Sequence, residues 1–314
     1  MCNRKDVKFK IQHLEGRGCG VIARHNIQPG DLIMRDYPLI VMPSNVFEKD
    51  DPDYIERWLD KKINSLSCKD REKYFDLSDA RSSDFDASKN PGKTSLGIFY
   101  TNCMTFVDDT AALFPIMART NHSCTPNAEF FARPKQYVQD LMATQFISKG
   151  EEITITYLHA DTENSEIKSI RQRYLKRWYG FTCVCQTCSL EGDLLRSDDA
   201  LRNSIKILQT QDLNSLTLME LDELVERLRR SSSKLSYRKQ VLEVAFLKAM
   251  HGNDLILSAK FYVECLLIDS IINIDNSDES ENSNIYINNL ILQNITFRHS
   301  TFVFLWNQLE DTRK

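Results

Sequence analysis

Asn121-His-Ser-Cys-Thr-Pro-Asn127 puts an amide, an imidazole and a thiol into one short, turn-forming segment. Alone, an Asn-His pair of this kind is a polar turn. Its neighbours along the chain give it more to do. Downstream, Gly150-Glu-Glu-Ile-Thr-Ile-Thr-Tyr157 runs from a glycine turn into a strand that ends on a tyrosine. Further on, Tyr179-Gly-Phe-Thr-Cys183-Val-Cys185-Gln-Thr-Cys188 gathers three thiols within six residues. Upstream, Gly16-Arg-Gly-Cys-Gly20 is a glycine-rich turn, followed by Pro29-Gly30-Asp31.

The cysteine turn carries the most chemistry. Soft thiolates this close together suit tetrahedral zinc, which takes four ligands at about 2.3 Å. Three are local, so the fourth comes from elsewhere in the fold. Cys124, Cys103, His122 and His159 are the candidates, and spacing does not choose among them. The plainer alternative is three free thiols on a loop. Cys2, Cys19, Cys68 and Cys265 stand alone and read as ordinary thiols or core filler.

Outward from these segments the chain divides in two. All eight prolines fall at or before Pro134 and nine of ten glycines at or before Gly192, whereas the residues beyond hold one glycine and no proline, which is helical territory. Of the 314 residues, 1–192 balance 26 Lys+Arg against 26 Asp+Glu, so the net charge of −4 belongs to 193–314. That balance argues against direct nucleic-acid binding. The first ten residues hold Arg4, Lys5, Lys8 and Lys10 without an apolar run, so no signal peptide is expected there. The most apolar later stretch, 259–274, is broken by Lys260, Glu264 and Asp269, so no membrane association is expected either. Cytoplasm, nucleus or both are the expected compartments, where cysteines serve as thiols or metal ligands.

Residues 7–43 read as short strands and turns. In 53–80 Tyr54, Ile55, Trp58, Leu59, Ile63 and Leu66 recur at helical spacing, with a second short helix over 70–77. Residues 81–93 read as a polar loop, and 96–157 as strands and turns again. A basic helix covers 165–179. Beyond it, helical patterns lie near 198–210, 217–231, 234–251, 254–273 and 284–309, with a polar run at 273–284.

The order GRGCG, NHSC, GEEITITY, basic helix, YGFTCVCQTC resembles SET-domain protein lysine methyltransferases, in particular the SET-and-MYND-like branch. The resemblance covers 7–190, with an insertion at about 44–93. That insertion has Cys68 as its only cysteine, so it lacks the Cys/His framework of a MYND zinc module. The resemblance implies an α+β fold of small curled β-sheets with a knot-like core, a helical insertion and a post-SET zinc turn at about 180–190. Together with the composition break near 192, it gives a SET domain at 1–192 and an all-α C-terminal domain at 193–314.

The implied activity is transfer of a methyl group from S-adenosylmethionine to a lysine of a histone tail or other protein, by a monomer. Tyr157 matches the family's active-site tyrosine. Tyr179 and Phe181 would line the lysine channel with it, Phe181 also packing on the cofactor. Arg17, Gly18 and Cys19 would meet the cofactor largely through backbone, as would Asn121 and His122, and Asn102 resembles a further amide contact. Cys124 is the implied fourth ligand beside Cys183, Cys185 and Cys188, making zinc structural. Glu151 and Glu152 are implied to be structural. Thr120 departs from the apolar residue common in relatives, and the tail is less regular than theirs. The alternative is a catalytically silent SET domain serving as a protein-binding scaffold.

Overall fold

The computed structural model describes residues 7–272 apart from 50, 82–91, 108–109, 159–165 and 232. Cys2, His159, most of the 81–93 loop, the polar run after 272 and the pattern at 284–309 therefore lie outside the described residues.

The chain opens with a hairpin, β1 (Phe9–Leu14) and β2 (Gly18–Ala23). Its turn needs positive φ at Gly16 (+68°) and Gly18 (+66°), conformations that cost a residue with a Cβ. β3 (Leu32–Asp36) and β4 (Ile40–Met42) follow. The insertion then forms a short helix α1 (Ser44–Phe47), α2 (Pro52–Asn64) and α3 (Cys68–Asp76). Asp51 caps α2 by accepting from Tyr54 N–H, Pro52 sits at its first turn, and Ile55, Leu59 and Ile63 face inward. Ser67 caps α3 in the same way.

The stretch expected to return directly to strands begins instead with a helix, α4 (Ser95–Asn102). Thr94 caps it by accepting from Gly97 N–H. Leu96, Gly97, Ile98 and Phe99 are all buried, so no polar face alternates with an apolar one. Without that contrast the helical period does not show in the sequence. After it come β5 (Cys103–Thr105), β6 (Ala111–Leu113), a 3₁₀ turn at Met117–Arg119, β7 (Asn121–His122), β8 (Ala128–Arg133), β9 (Val138–Ala143) and β10 (Glu152–Ile155).

The strands make three small sheets, ordered β1-β2-β10-β7, β3-β9-β8 and β4-β6-β5. In the first, β10 runs antiparallel to β2, with Glu152 opposite Ile22, and parallel to β7, with Thr154 opposite Asn121 and Ile155 opposite His122. A core shared with the second sheet holds Val21, Ile27, Phe114, Leu141, Ile147 and Ile153. In the second sheet Asp140 receives Arg35 Nε and Nη2 at 2.7 and 2.9 Å and Arg133 Nε at 2.9 Å. A second core joins the insertion to the third sheet through Leu59, Tyr74, Phe99 and Leu113.

The basic helix is α5 (Lys168–Tyr179), closed by Gly180 in the left-handed region (φ +74°). The tail patterns appear as α6 (Gly192–Gln209), α7 (Leu218–Arg230), α8 (Leu235–His251) and α9 (Leu255–Ile272). α6 starts at the glycine that marks the composition break, six residues ahead of its sequence pattern. The chain divides into two compact units between Ile207 and Leu208. In the second unit, Thr217 and Glu220 form a reciprocal cap on α7, and Arg229 and Arg238 pair with Glu264. Among the described residues, no helix is long and apolar enough to cross a membrane.

Candidate active site and thiol centre

Tyr157 follows β10 directly, so the parallel pairing with β7 sets it beside the Asn121–Cys124 segment. Its hydroxyl donates to the carbonyl of Thr120 at 2.8 Å, and its backbone N–H donates to Nδ1 of His122 at 3.0 Å. The rings of Tyr157 and Tyr179 are 4.8 Å apart, Tyr157 and Phe181 6.3 Å, and His122 and Phe181 6.1 Å. Tyr157, Tyr179 and Phe181 thus gather as an aromatic group on the small core around Leu158 and Leu175. Burial pushes the Tyr157 phenol well above the ordinary tyrosine value, although Arg17 opposes the shift. At neutral pH it is a neutral hydroxyl that donates its proton and keeps oxygen lone pairs to accept.

A polar network closes one side. Arg17 pairs with Glu152 at 2.6 Å, and its other terminal nitrogen donates to the carbonyl of His122 at 3.2 Å. Asn121 Nδ2 donates to Glu152 Oε1 at 2.9 Å and to the Arg17 carbonyl at 3.4 Å. A Cβ on Gly20 would come within 2.5 Å of Leu14 Cδ1, 2.9 Å of Glu152 Oε1 and 3.0 Å of Asn121 Nδ2. Gly18 and half-buried Cys19 start the same strand, with open space where a Gly18 side chain would stand. Glu151 accepts from Ser148 N–H and from Asn127 Nδ2, so both glutamates hold turns in place.

The four sulfurs of Cys124, Cys183, Cys185 and Cys188 lie within 4.8 Å of one another. Thiolates about 2.3 Å from a tetrahedral zinc stand roughly 3.8 Å apart, so the donor set and its spread fit that ion. Cys124 and Cys188 are already 3.5 Å apart. Mutual hydrogen bonding splits the protons unevenly: the neighbouring thiols, Cys124 first, hold Cys185 low, while Cys183, Cys185 and Cys188 push Cys124 up. Of the sequence's candidates for the fourth position, Cys124 closes the set. Cys103 sits elsewhere, at the start of β5. His122 is beside the cluster, with Nε2 3.3 Å from Cys124 Sγ.

Asn102 stands at the C-terminal end of α4, where Nδ2 donates to the carbonyls of Ser78 and Ile98, both at 2.7 Å. Its amide N–H groups are spent on joining the insertion to α4.

Two residues have roles that sequence reasoning missed. Since His122 Nδ1 accepts the Tyr157 N–H, Nε2 carries the ring proton and directs it at Cys124. Burial lowers the imidazole to about 3, which keeps the ring neutral. Asn127 accepts from Thr154 N–H at 2.8 Å and donates to the Glu152 carbonyl at 2.9 Å, clamping β10 from the far end of the NHSCTPN stretch. The only sequence signal for Asn127 was its place in that stretch.

A family profile described as the SET domain matches residues 18–158. The chain is 29% identical over 194 residues to "Histone-lysine N-methyltransferase set5" of Schizosaccharomyces pombe, covering 62% of this chain and 54% of that protein. It is 35% identical over 123 residues to "Histone-lysine N-methyltransferase ATXR2" of Arabidopsis thaliana, covering 37% and 24%. To "Protein-lysine N-trimethyltransferase SMYD5" of Mus musculus it is 30% identical over 128 residues, covering 41% and 27%. The chain thus spans about half the length of the first relative and about a quarter of the other two.

Proposed function

From the SET-domain profile match at residues 18–158 we propose that the chain is a protein-lysine N-methyltransferase of the SET-and-MYND-like branch, its insertion lacking the cysteine framework of a MYND module. The relatives named above act, by their names, on histone or other protein lysines, which supports a protein substrate here.

S-adenosylmethionine, when bound, supplies a methyl group made electrophilic by its sulfonium. The residues that would hold it are Arg17, Gly18 and Cys19 through the glycine turn, and Asn121 and His122 through backbone and amide groups, with Phe181 packed against it. A Cβ on Gly16 or Gly18 would meet nothing within 4 Å, which leaves the backbone of this turn open to close approach. Asn102 remains the outlying member of the set.

Tyr157, Tyr179 and Phe181 form the apolar wall along which a lysine side chain enters. Low polarity there favours the neutral amine, whose lone pair is needed to form the new N–C bond as the C–S bond breaks. The proton that the lysine gives up beforehand goes to solvent. Because the Tyr157 hydroxyl points its proton at Thr120, its oxygen accepts from the amine and fixes the line of approach, so positioning carries the reaction. Cys124, Cys183, Cys185 and Cys188 would hold a structural zinc, fastening the Tyr179–Phe181 wall to the NHSC segment beside Tyr157.

One observation carries the reading. The glycine turn, the NHSC strand, Tyr157 and the cysteine turn, spread over some 170 residues, meet around His122. Titration calorimetry with S-adenosylmethionine, then methylation of a histone-peptide array by the chain and by Tyr157→Phe, tests it. The expected result is cofactor binding by both proteins and a rate roughly 100-fold lower for the variant. No cofactor binding, or equal rates, overturns the proposal. Binding with no transfer by either protein favours the scaffold.

A further inference from the structure

A buried cation stands beside the thiol centre that methyl transfer does not use. Arg171, on α5, has a fully buried side chain. Its Nη2 lies 3.9 Å from Cys188 Sγ and 3.6 Å from Asp198 Oδ2, its Nη1 donates to the Glu166 carbonyl at 2.5 Å, and its Nε has no hydrogen-bond partner. Asp198, on α6, also accepts from Arg202 Nε at 2.9 Å, and the Arg202 side chain is fully buried too. The Asp198 carboxylate is therefore closer to Arg202 than to Arg171.

The charges explain the arrangement. Four thiolates around one divalent cation carry a net charge of −2, and a low-dielectric interior penalises a charge that nothing offsets. The N–H of Cys185 on Cys183 Sγ (3.5 Å) and the ring of His122 on Cys124 Sγ supply dipoles. Arg171 supplies a whole charge on the far ligand, Cys188. Resting on the reading that these cysteines hold zinc, we infer that Arg171 is the charge partner of the thiolate centre. Asp198 sets the direction of its guanidinium. Arg171 is a positioning residue: it acts on the ligands and touches neither methyl donor nor lysine. This also makes α6, the first helix past the composition break, a working part of the zinc site.

The test follows zinc rather than methylation. The full chain and Arg171→Met, Arg171→Lys and Asp198→Asn are purified with zinc, checked by far-ultraviolet circular dichroism and challenged with a chromogenic chelator. Loss of an outer partner of this kind costs about 10–100-fold in metal retention, and Arg171→Met is expected to release zinc faster by that factor. Arg171→Lys, which keeps the charge, stays within a few-fold of the parent, and Asp198→Asn falls between. In cobalt-loaded protein the thiolate-to-metal charge-transfer band of Arg171→Met moves to lower energy, since its sulfurs are richer in electrons. A helix anchor with no electrostatic role would leave that band in place. Unchanged release and band in Arg171→Met overturn the inference. If Arg171→Met does not fold, Arg171→Lys decides: near-parental release supports the inference, and release 10-fold or more above the parent overturns it. A parent chain that binds no zinc defeats the zinc reading itself, a result distinct from all of these.

Discussion

Tyr157 donates its backbone N–H to Nδ1 of His122, and the opposite face of the same imidazole meets Cys124. One neutral ring therefore connects the proposed reacting tyrosine to the proposed metal. Each ring nitrogen can serve only one of these bonds, which leaves no free nitrogen to ligate zinc. Backbone, ring and sulfur form a short relay in which every member fixes the next.

Removing that ring should loosen both ends. His122→Ala is expected to lose about 2 kcal/mol of stability, from one unmade bond to a buried N–H and one to sulfur. Chemical unfolding measures the first effect, and zinc content after dialysis against a weak chelator measures the second. A variant as stable as the parent with full zinc would remove His122 from the relay.

Cys185→Ser leaves three sulfurs where tetrahedral zinc needs four donors. Zinc content and methyl transfer are expected to fall together, because Phe181 and Tyr179 precede the same turn. Metal analysis by mass spectrometry alongside a radiolabelled methyl assay checks this. Full methylation by a zinc-free variant would refute the structural role.

Gly20→Ala introduces a methyl group into space already held by Leu14, Glu152 and Asn121. Leu14 and the Asn121 amide can move aside, so the fold should survive while the cofactor side of the turn shifts. We expect calorimetric affinity for S-adenosylmethionine to drop about 10-fold, or about 1.4 kcal/mol. Unchanged affinity would mean the turn does not face the cofactor.

Asp140 gives a pH signature. Burial alone would raise its carboxyl, but the hydrogen bonds and charges of Arg35 and Arg133 outweigh it and hold it below the ordinary aspartate value of 3.8. A depressed folded-state value means that its stabilisation is complete above about pH 4 and is lost as pH falls through the lowered value. Asp140→Asn should cost about 3 kcal/mol at pH 7, since it leaves buried Arg133 without its carboxylate. Urea unfolding at pH 7 and pH 3 should show the gap between parent and variant narrowing in acid. A constant gap would count against the ion pair.

The parts of this site that can be read in one dimension are those whose chemistry is local. Cys183, Cys185 and Cys188 stand out by spacing as a thiol cluster suited to a metal, and the glycines at 16 and 18 mark the turn that takes positive φ. Cys124 could not be singled out by spacing from Cys103, His122 and His159, because a remote ligand is chosen by the fold. The His122 relay was hidden because it depends on which ring nitrogen faces which strand, a consequence of the β7–β10 register. Arg171 looked like any basic residue of a surface helix; only its burial separates it from Arg173 two positions on. α4 was missed for the opposite reason: four consecutive positions, Leu96 to Phe99, are buried and non-polar, so no helical period was there to find.

The antiparallel partner of β2 lies about 130 residues further along the chain. During synthesis at about 5–20 residues per second, the first hairpin emerges on the order of ten seconds before β10 can cover its open edge. Val21 and Ile22, both buried at the end, stay in water through that interval. Cys124 meets its sulfur companions only after a further 60 residues have followed it. Nascent chains of this protein therefore pass through a stage with an uncapped apolar strand and no metal. A holding chaperone at the ribosome exit, and zinc supply if the four thiols take up that ion, would both bear on the yield of folded chain.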